Sequence, residues 1–197
     1  MEPVPQLVVA DAAAWRTWLE RNESASAGVW LILAKKGTSD PTSLNYQQAL
    51  EEALCSGWID GRRQAVDRAV FQQHFTPRRA ASVWSLRNTG IVTSLIKAGR
   101  MRARGQEEID RAQADGRWGQ AYAGQAAAEV PEDLAMALRA SPGLAERFEG
   151  LSRSDRYAVI HRVVTARTEA TRQNRIRRCL ENLEGPAGSS AVGKTAP

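Results

Sequence analysis

Side chains able to bind or transform a ligand are concentrated in two short blocks, residues 53–62 and 75–85. The blocks combine indole rings, a carboxylate, hydroxyl groups and guanidinium groups, and a lysine pair follows an earlier apolar run. Guanidinium groups bind carboxylates and phosphates through paired hydrogen bonds, and an indole face stacks on cations or flat ligands. The candidate ligand-binding residues are therefore Trp58, Asp60, Arg62, Arg78, Arg79, Ser82, Trp84 and Lys35. Together they predict a rim that receives a small anion.

The role of Asp60 within this set stays open. It could be the acid or base of an enzyme, or it could bind an amine or a hydroxyl group of a ligand. It could equally pair with an arginine of the same hairpin. Arg78 and Arg79 are adjacent in a loop and face different ways, so at most one of them pairs with Asp60. In the purely structural alternative, the arginines form an ion-pair network and Trp84 belongs to the core.

Known catalytic and metal-binding patterns do not occur in the sequence. Walker A, GxGxxG, HExxH and GxSxG motifs are all missing. The two histidines, His74 and His161, lie in a predicted strand and in an apolar helix, and Cys55 and Cys179 are far apart. No nucleophile, base and orienting group assemble from local motifs. We therefore predict no catalytic residue, no metal ligand and no cofactor, with both cysteines as reduced, buried thiols.

Turn and capping residues predict the elements that carry the two blocks. Asn45 with Gln48 is a capping-box variant that starts a helix, and Gly57 ends that helix. Residues 58–65 and 69–76 alternate as two strands of a hairpin, and Gly61 inside the first strand indicates a bulge or a close backbone approach. Pro77 ends the second strand, and Ser85 caps the next helix.

The rest of the chain sets the fold class. The continuously apolar residues 28–34 predict a central strand near residues 28–35, and residues 7–9 predict a further edge strand. We predict an α+β fold: a small three- to four-stranded antiparallel sheet packed on helices, followed by an all-helical C-terminal part. The predicted divisions are an N-terminal domain over residues 1–128, a helical domain over 129–184 and a disordered tail over 185–197.

The charge of the chain allows an acidic partner. The formal net charge is +5 and the sequence pI about 9.7, and arginines are dense in the last predicted helix. Such a basic helix is the best nucleic-acid footprint in the chain, although it lacks interleaved aromatic residues. An alternative prediction is therefore nucleic-acid binding through Arg172, Arg175, Arg177 and Arg178.

Several of these motifs resemble the YdeI/OmpD-associated, or bacteriocin-protection (OmdA-like), family. The similar pieces, over roughly residues 5–184, are GVWL at 28–31 with the lysine pair at 35–36, ALEEALCSGWIDG at 49–61, FTPRR at 75–79, SVWS at 82–85, GRM at 99–101, DGRW at 115–118, VPEDL at 130–134, LSRSDRY at 151–157 and TAR at 165–167. The resemblance implies a role in bacteriocin tolerance and an association with an outer-membrane porin, but no particular reaction. Two departures stand out: Ser56 where the family often has an aromatic residue, and Arg102-Ala103 where a Thr-Pro helix start is frequent.

We combine these observations into one expected function. The N-terminus lacks a basic start and an apolar core, and no apolar run approaches the length of a transmembrane helix, so we expect a cytoplasmic protein. By resemblance it would be a non-enzymatic accessory protein of bacteriocin tolerance or envelope stress. Its partner would be a small anionic ligand, or an envelope-related protein, at the Arg/Trp rim. Nucleic-acid binding and an enzyme using Asp60 are the alternatives.

Overall fold

The computed structural model describes residues 4–185 and separates into two compact units, which divide between Ala121 and Tyr122. The predicted domain boundary at residue 128 stays a prediction. The predicted disordered tail over 185–197 lies, beyond Gly185, outside the described residues.

The first unit is an α+β structure, as predicted. Its elements are β1 (Gln6–Leu7), α1 (Ala12–Asn22), β2 (Val29–Ala34), α2 (Tyr46–Cys55), β3 (Trp58–Ala65), β4 (Val70–Pro77), α3 (Leu86–Lys97) and α4 (Ala103–Ala114). The four strands form one sheet in the order β1-β2-β4-β3. The prediction of an antiparallel sheet is wrong for one pair, because β1 lies parallel to β2. Helix α1 carries the chain back between these two strands, so both strands enter the sheet in the same direction.

One face of the sheet packs against α1 and α2. Leu31 and Leu33 of β2 pair with Gln73 and Phe71 of β4, and the apolar members of this face join the main core. The register places Trp58 on this same face. Burial of large apolar and aromatic side chains is the dominant stabilising contribution here.

Local capping sets the limits of α2 as the sequence predicts. The amide nitrogen of Gln48 donates to Oδ1 of Asn45 over 3.1 Å, and that of Asn45 donates to Oε1 of Gln48 over 3.2 Å. At the other end Gly57 has φ +71°, a conformation that favours glycine, and turns the chain into β3. The capping box is therefore confirmed, and it fixes where Tyr46 begins the helix.

The two departures from the family pattern contact each other. Nε of Arg102 donates to Oγ of Ser56 over 2.8 Å, and its Nη1 donates to the buried Glu52 carboxylate over 2.8 Å. The arginine thus uses its side chain to join α4 to the end of α2. Arg102 is also the N-cap residue of α4, and its side chain makes no cap bond to that helix.

The second unit is helical throughout its described secondary structure, which confirms the predicted helical C-terminal part. Its helices are α5 (Glu132–Arg139), α6 (Pro142–Glu149), α7 (Arg153–Val164) and α8 (Glu169–Glu184). Their apolar faces form a separate core around Leu134, Phe148, Ile160 and Ile176. Among the described residues, no helix is both long and apolar enough to cross a membrane.

Candidate functional site

Trp58, the first predicted site residue, belongs to the core. Its side chain is 0% exposed, and its indole N–H donates to the backbone oxygen of Glu23 over 3.4 Å. Its ring meets Trp15 and Trp18 edge-on, with ring centroids 6.3 and 5.8 Å apart. Trp58 therefore supports the sheet and presents no face to a ligand.

Arg78 and Trp84 form a buried pair beyond the hairpin. The guanidinium carbon of Arg78 lies 3.5 Å from the Trp84 ring centroid, and the two residues are 4% and 2% exposed. Nη1 of Arg78 also donates to the Val83 oxygen over 3.2 Å, while Trp84 packs on Trp118. A cation held against an indole face without water contributes to stability. These two residues therefore act in packing.

Arg79 and Ser82 shape the loop between β4 and α3. The amide of Arg79 donates to Oγ of Ser82 over 2.9 Å, and the Ser82 carbonyl accepts a hydrogen bond from Arg117 over 2.8 Å. The Arg79 side chain is exposed. The loop thus offers one surface guanidinium, while its serine is bound to the backbone.

Asp60 is joined to a tyrosine. The Tyr46 hydroxyl donates to Oδ2 of Asp60 over 2.8 Å, and no arginine in the described part of the chain lies within ion-pair distance of that carboxylate. Burial, then the charge of Asp60 and its hydrogen bond, together raise the pKa of Tyr46 to about 12. Nη1 of Arg87 lies 3.4 Å from the same hydroxyl oxygen. The neutral phenol therefore donates to a carboxylate and accepts from a guanidinium group.

A bulge decides which arginine of β3 faces this tyrosine. Asp60 pairs with Phe75, but Arg63 pairs with Gln73, so β3 contains one extra residue between them. Arg63 consequently shares the helix-covered face with Asp60, and its guanidinium carbon lies 3.8 Å from the centre of the Phe71 ring. Arg62 lies on the opposite face of the sheet, beside His74. Burial lowers the pKa of His74, and the charge of Arg62 lowers it further.

The first unit contains an open cleft of about 630 Å³. It lies where β2 ends and α2 begins, and Arg63 and Phe71 form a wall. Its lining residues are Ala34, Lys35, Lys36, Gly37, Thr38, Ser43, Asn45, Tyr46, Gln47, Arg63 and Phe71.

The cleft carries positive charge without a compensating acid in its lining. Lys35, Lys36 and Arg63 are cationic, and none of the lining residues is Asp or Glu. The start of α2 adds the positive end of a helix dipole. Lys35 is partly engaged, since its Nζ donates to the Asp67 carbonyl over 2.5 Å, whereas Lys36 is exposed. Such a surface attracts a carboxylate or a phosphate.

The predicted rim and this cleft share Lys35. Lys36 was expected beside it at the strand end, but Arg63, Tyr46, Asn45 and Gln47 were missed. Gly61 signalled the bulge, and shifting the strand alternation by one residue after it would have placed Arg63 on the face of Asp60. The candidate residues therefore do not gather in one rim: they divide among the core, the β4–α3 loop, the outer sheet face and the cleft.

The four arginines of the alternative nucleic-acid surface differ in the bonds that they make within the fold. Arg172 binds both carboxylate oxygens of Asp133, over 2.5 and 2.8 Å. Arg175 donates to the carbonyl of Arg162, and Arg177 pairs with Glu181 over 2.9 Å. Arg178 is exposed. Nucleic-acid binding stays a prediction, with three of its four residues bonded within the fold.

Two family models match different parts of the chain. Residues 7–108, about half of the chain, match the family described as "Domain of unknown function (DUF8412)". Residues 127–185 match the family described as "Bacteriocin-protection, YdeI or OmpD-Associated", which confirms the predicted resemblance. Both blocks that carry the predicted rim fall in the first match. No curated protein and no solved structure matches the chain.

Proposed function

We propose a function from the premise that the chain belongs to the family described as "Domain of unknown function (DUF8412)", with a bacteriocin-protection, YdeI or OmpD-associated segment over residues 127–185. The protein is a non-enzymatic, cytoplasmic accessory protein of bacteriocin tolerance. Its first unit binds a small anionic ligand in the basic cleft. The observation that carries this proposal is a lining with three cations and no carboxylate.

The fixed geometry of the cleft supports binding of an anion. Arg63 is held by the Phe71 ring, and Tyr46 is held by Asp60, so both face the cleft without further ordering. A preformed site loses less conformational entropy when a ligand binds. The neutral Tyr46 phenol lies beside the cationic groups and can contribute to recognition of an oxygen-rich ligand.

The chemistry of the lining supports binding more than turnover. Its polar groups are amines, a guanidinium, amides, hydroxyls and a phenol, with no carboxylate, thiol or imidazole among them. Two of the hydroxyls are already engaged: Thr38 donates to the Ala69 carbonyl and Ser43 to the Ala10 carbonyl. The lining therefore offers cations for holding a ligand but no paired general acid and base.

Calorimetric titration of the full chain with pyrophosphate and with citrate tests the site. The Lys35→Gln, Lys36→Gln and Arg63→Gln variants keep much of each side-chain stem and remove its charge. We expect each to weaken binding by about tenfold, because a charged hydrogen bond contributes roughly 1.5–3 kcal/mol. Higher salt should weaken binding of the parent protein, since the cleft is open to solvent.

Arg79→Gln and Lys97→Gln are matched controls, because both residues are exposed cations of the same unit outside the cleft lining. Both should bind like the parent. If Arg79→Gln loses binding and the cleft variants keep it, the ligand belongs to the β4–α3 loop. Unchanged binding in a triple cleft variant would refute this site.

A bacteriocin challenge tests the proposed role in bacteriocin tolerance. A host lacking the gene is complemented with the parent or the triple cleft variant and challenged with bacteriocin. We expect the triple variant to protect poorly at equal protein level. Full protection by that variant would separate the cleft from the tolerance function.

A further inference from the structure

A second concave surface lies within the helical unit. The segment before α5 passes along the first turns of α7 and leaves a cleft of about 380 Å³. Its lining residues are Gln125, Ala126, Ala128, Val130, Arg153, Arg156, Tyr157 and Ile160.

The wall of this cleft is fixed by direct contacts to α7. The Tyr157 hydroxyl donates to the Ala123 carbonyl over 3.3 Å, and the Gln125 amide donates to Oγ of Ser154 over 3.3 Å. Tyr122 meets His161 edge-on, with centroids 4.5 Å apart. The segment is thus attached to α7 at Tyr122, Ala123 and Gln125, which supports a preformed space.

Two arginines of α7, Arg153 and Arg156, line the cleft. In this unit Arg139, Arg172 and Arg177 have carboxylate partners, whereas within residues 4–185 the side chains of Arg153 and Arg156 show no hydrogen bond and no ion pair. Asp155, which lies between them in sequence, binds the Ser152 hydroxyl over 2.7 Å. Arg153 and Arg156 are three residues apart on one helix, so their side chains project from the same side.

The remaining lining combines aliphatic side chains with Gln125 and the Tyr157 phenol. Ile160 is 5% exposed and belongs to the unit's core, while Ala128 packs against that core and Val130 stays 38% exposed. Burial raises the pKa of Tyr157, which keeps its phenol neutral. A surface with paired guanidinium groups at one end and aliphatic groups at the other matches a ligand of two parts.

From this arrangement we infer that the helical unit binds a small carboxylate with a short apolar chain. Its carboxylate lies between Arg153 and Arg156, and its chain lies on Val130, Ala128 and Ile160. A guanidinium fork accepts the two oxygens of a carboxylate in parallel hydrogen bonds. This site is distinct from the basic cleft of the first unit, which lacks such an aliphatic floor.

Titration of the full chain with three probes tests both parts of this ligand. Octanoate carries the anion and the chain, acetate carries the anion alone, and octylammonium carries the chain with the opposite charge. We expect saturable binding of octanoate, with acetate and octylammonium each at least about tenfold weaker. Equal binding of octanoate and octylammonium, or no saturable binding of octanoate up to about 10 mM, would overturn the inference.

Variants locate the site, and one of them does so without changing its charge. A double Arg153→Gln and Arg156→Gln variant should bind octanoate at least about tenfold more weakly. Ala126→Trp, at an exposed lining position, should block the cleft while keeping both arginines. Arg178→Gln, an exposed cation of the same unit outside the lining, should bind like the parent. Circular dichroism melting checks that each variant folds, and parent-like octanoate binding by Ala126→Trp refutes the location.

Discussion

Replacing Gly105 by alanine should destabilise the first unit because α4 crosses the end of α2 at this residue. A Cβ at Gly105 would lie 2.2 Å from the Cys55 carbonyl oxygen and 2.8 Å from the Met101 methyl carbon. The nearest atom belongs to the backbone of another helix and cannot rotate away. Gly90 in α3 provides the matched control, because a Cβ there meets nothing within 4 Å.

The size of the effect follows from these distances. A carbon and an oxygen in contact stay about 3.3 Å apart, so α4 must retreat by roughly 1 Å. Overpacking of this kind costs typically about 1–3 kcal/mol, and alanine returns about 0.5–1 kcal/mol through its better helix propensity. A clash with backbone belongs at the upper end of that range. We therefore expect Gly105→Ala to lower the free energy of unfolding by about 2 kcal/mol and Gly90→Ala to raise it by about 0.5–1 kcal/mol.

Tryptophan fluorescence measures this unit selectively. The six tryptophans of the chain lie between residues 15 and 118, before the division at Ala121. Urea titrations of parent, Gly105→Ala and Gly90→Ala should give similar slopes with displaced midpoints. If Gly105→Ala is as stable as Gly90→Ala, the close crossing of α2 and α4 is refuted.

Three further predictions concern ionisable groups. Arg172→Met should destabilise the helical unit by about 1–2 kcal/mol, because it leaves Asp133 without its partly buried partner. Faster amide hydrogen exchange over α5 and α8 checks this, and an unchanged tryptophan transition is the control. Burial, and then the charge of Arg175, lower the pKa of His161 below its value in the unfolded chain. The unfolded state therefore binds more protons, and the stability of the helical unit should fall as the pH drops from about 7 to 5. A His161→Gln variant whose stability, measured by hydrogen exchange, has the same pH slope would contradict this. Asp60→Asn should lower the pKa of Tyr46 from about 12, while burial keeps that pKa above its usual value. Absorbance at 295 nm measures the titration of Tyr46, with the Tyr46→Phe protein as the background. An unaltered pKa of Tyr46 would show that Asp60 has no influence on it.

Local features of the fold could be predicted from the sequence because short-range hydrogen bonds decide them. Asn45 and Ser85 cap helices as expected, each through a bond to an amide three residues later. The helical C-terminal part follows from its apolar periodicity. The direction of β1 could not be read in this way, because it depends on how α1 returns the chain to the sheet.

The candidate site shows the limit of such reasoning. Sequence proximity placed Trp58, Asp60, Arg78 and Trp84 in one rim, and their residue types were suited to binding. Burial depends on what every other element covers, and the packing of the first unit places Trp58 and Trp84 in its core. The residue types suited to binding an anion could thus be recognised, but their exposure could not.

Two features of the candidate site can be seen only in the tertiary structure. Asp60 finds its partner in Tyr46, a residue 14 positions away on another element, and one extra residue in β3 turns Arg63 toward that pair while Arg62 faces away. The sequence by itself determined the helix limits, the hairpin and the supply of cationic and aromatic groups, since these depend on neighbours along the chain. The assembled sheet and helices decided which groups face solvent together, because side-chain exposure is a property of the whole packed unit.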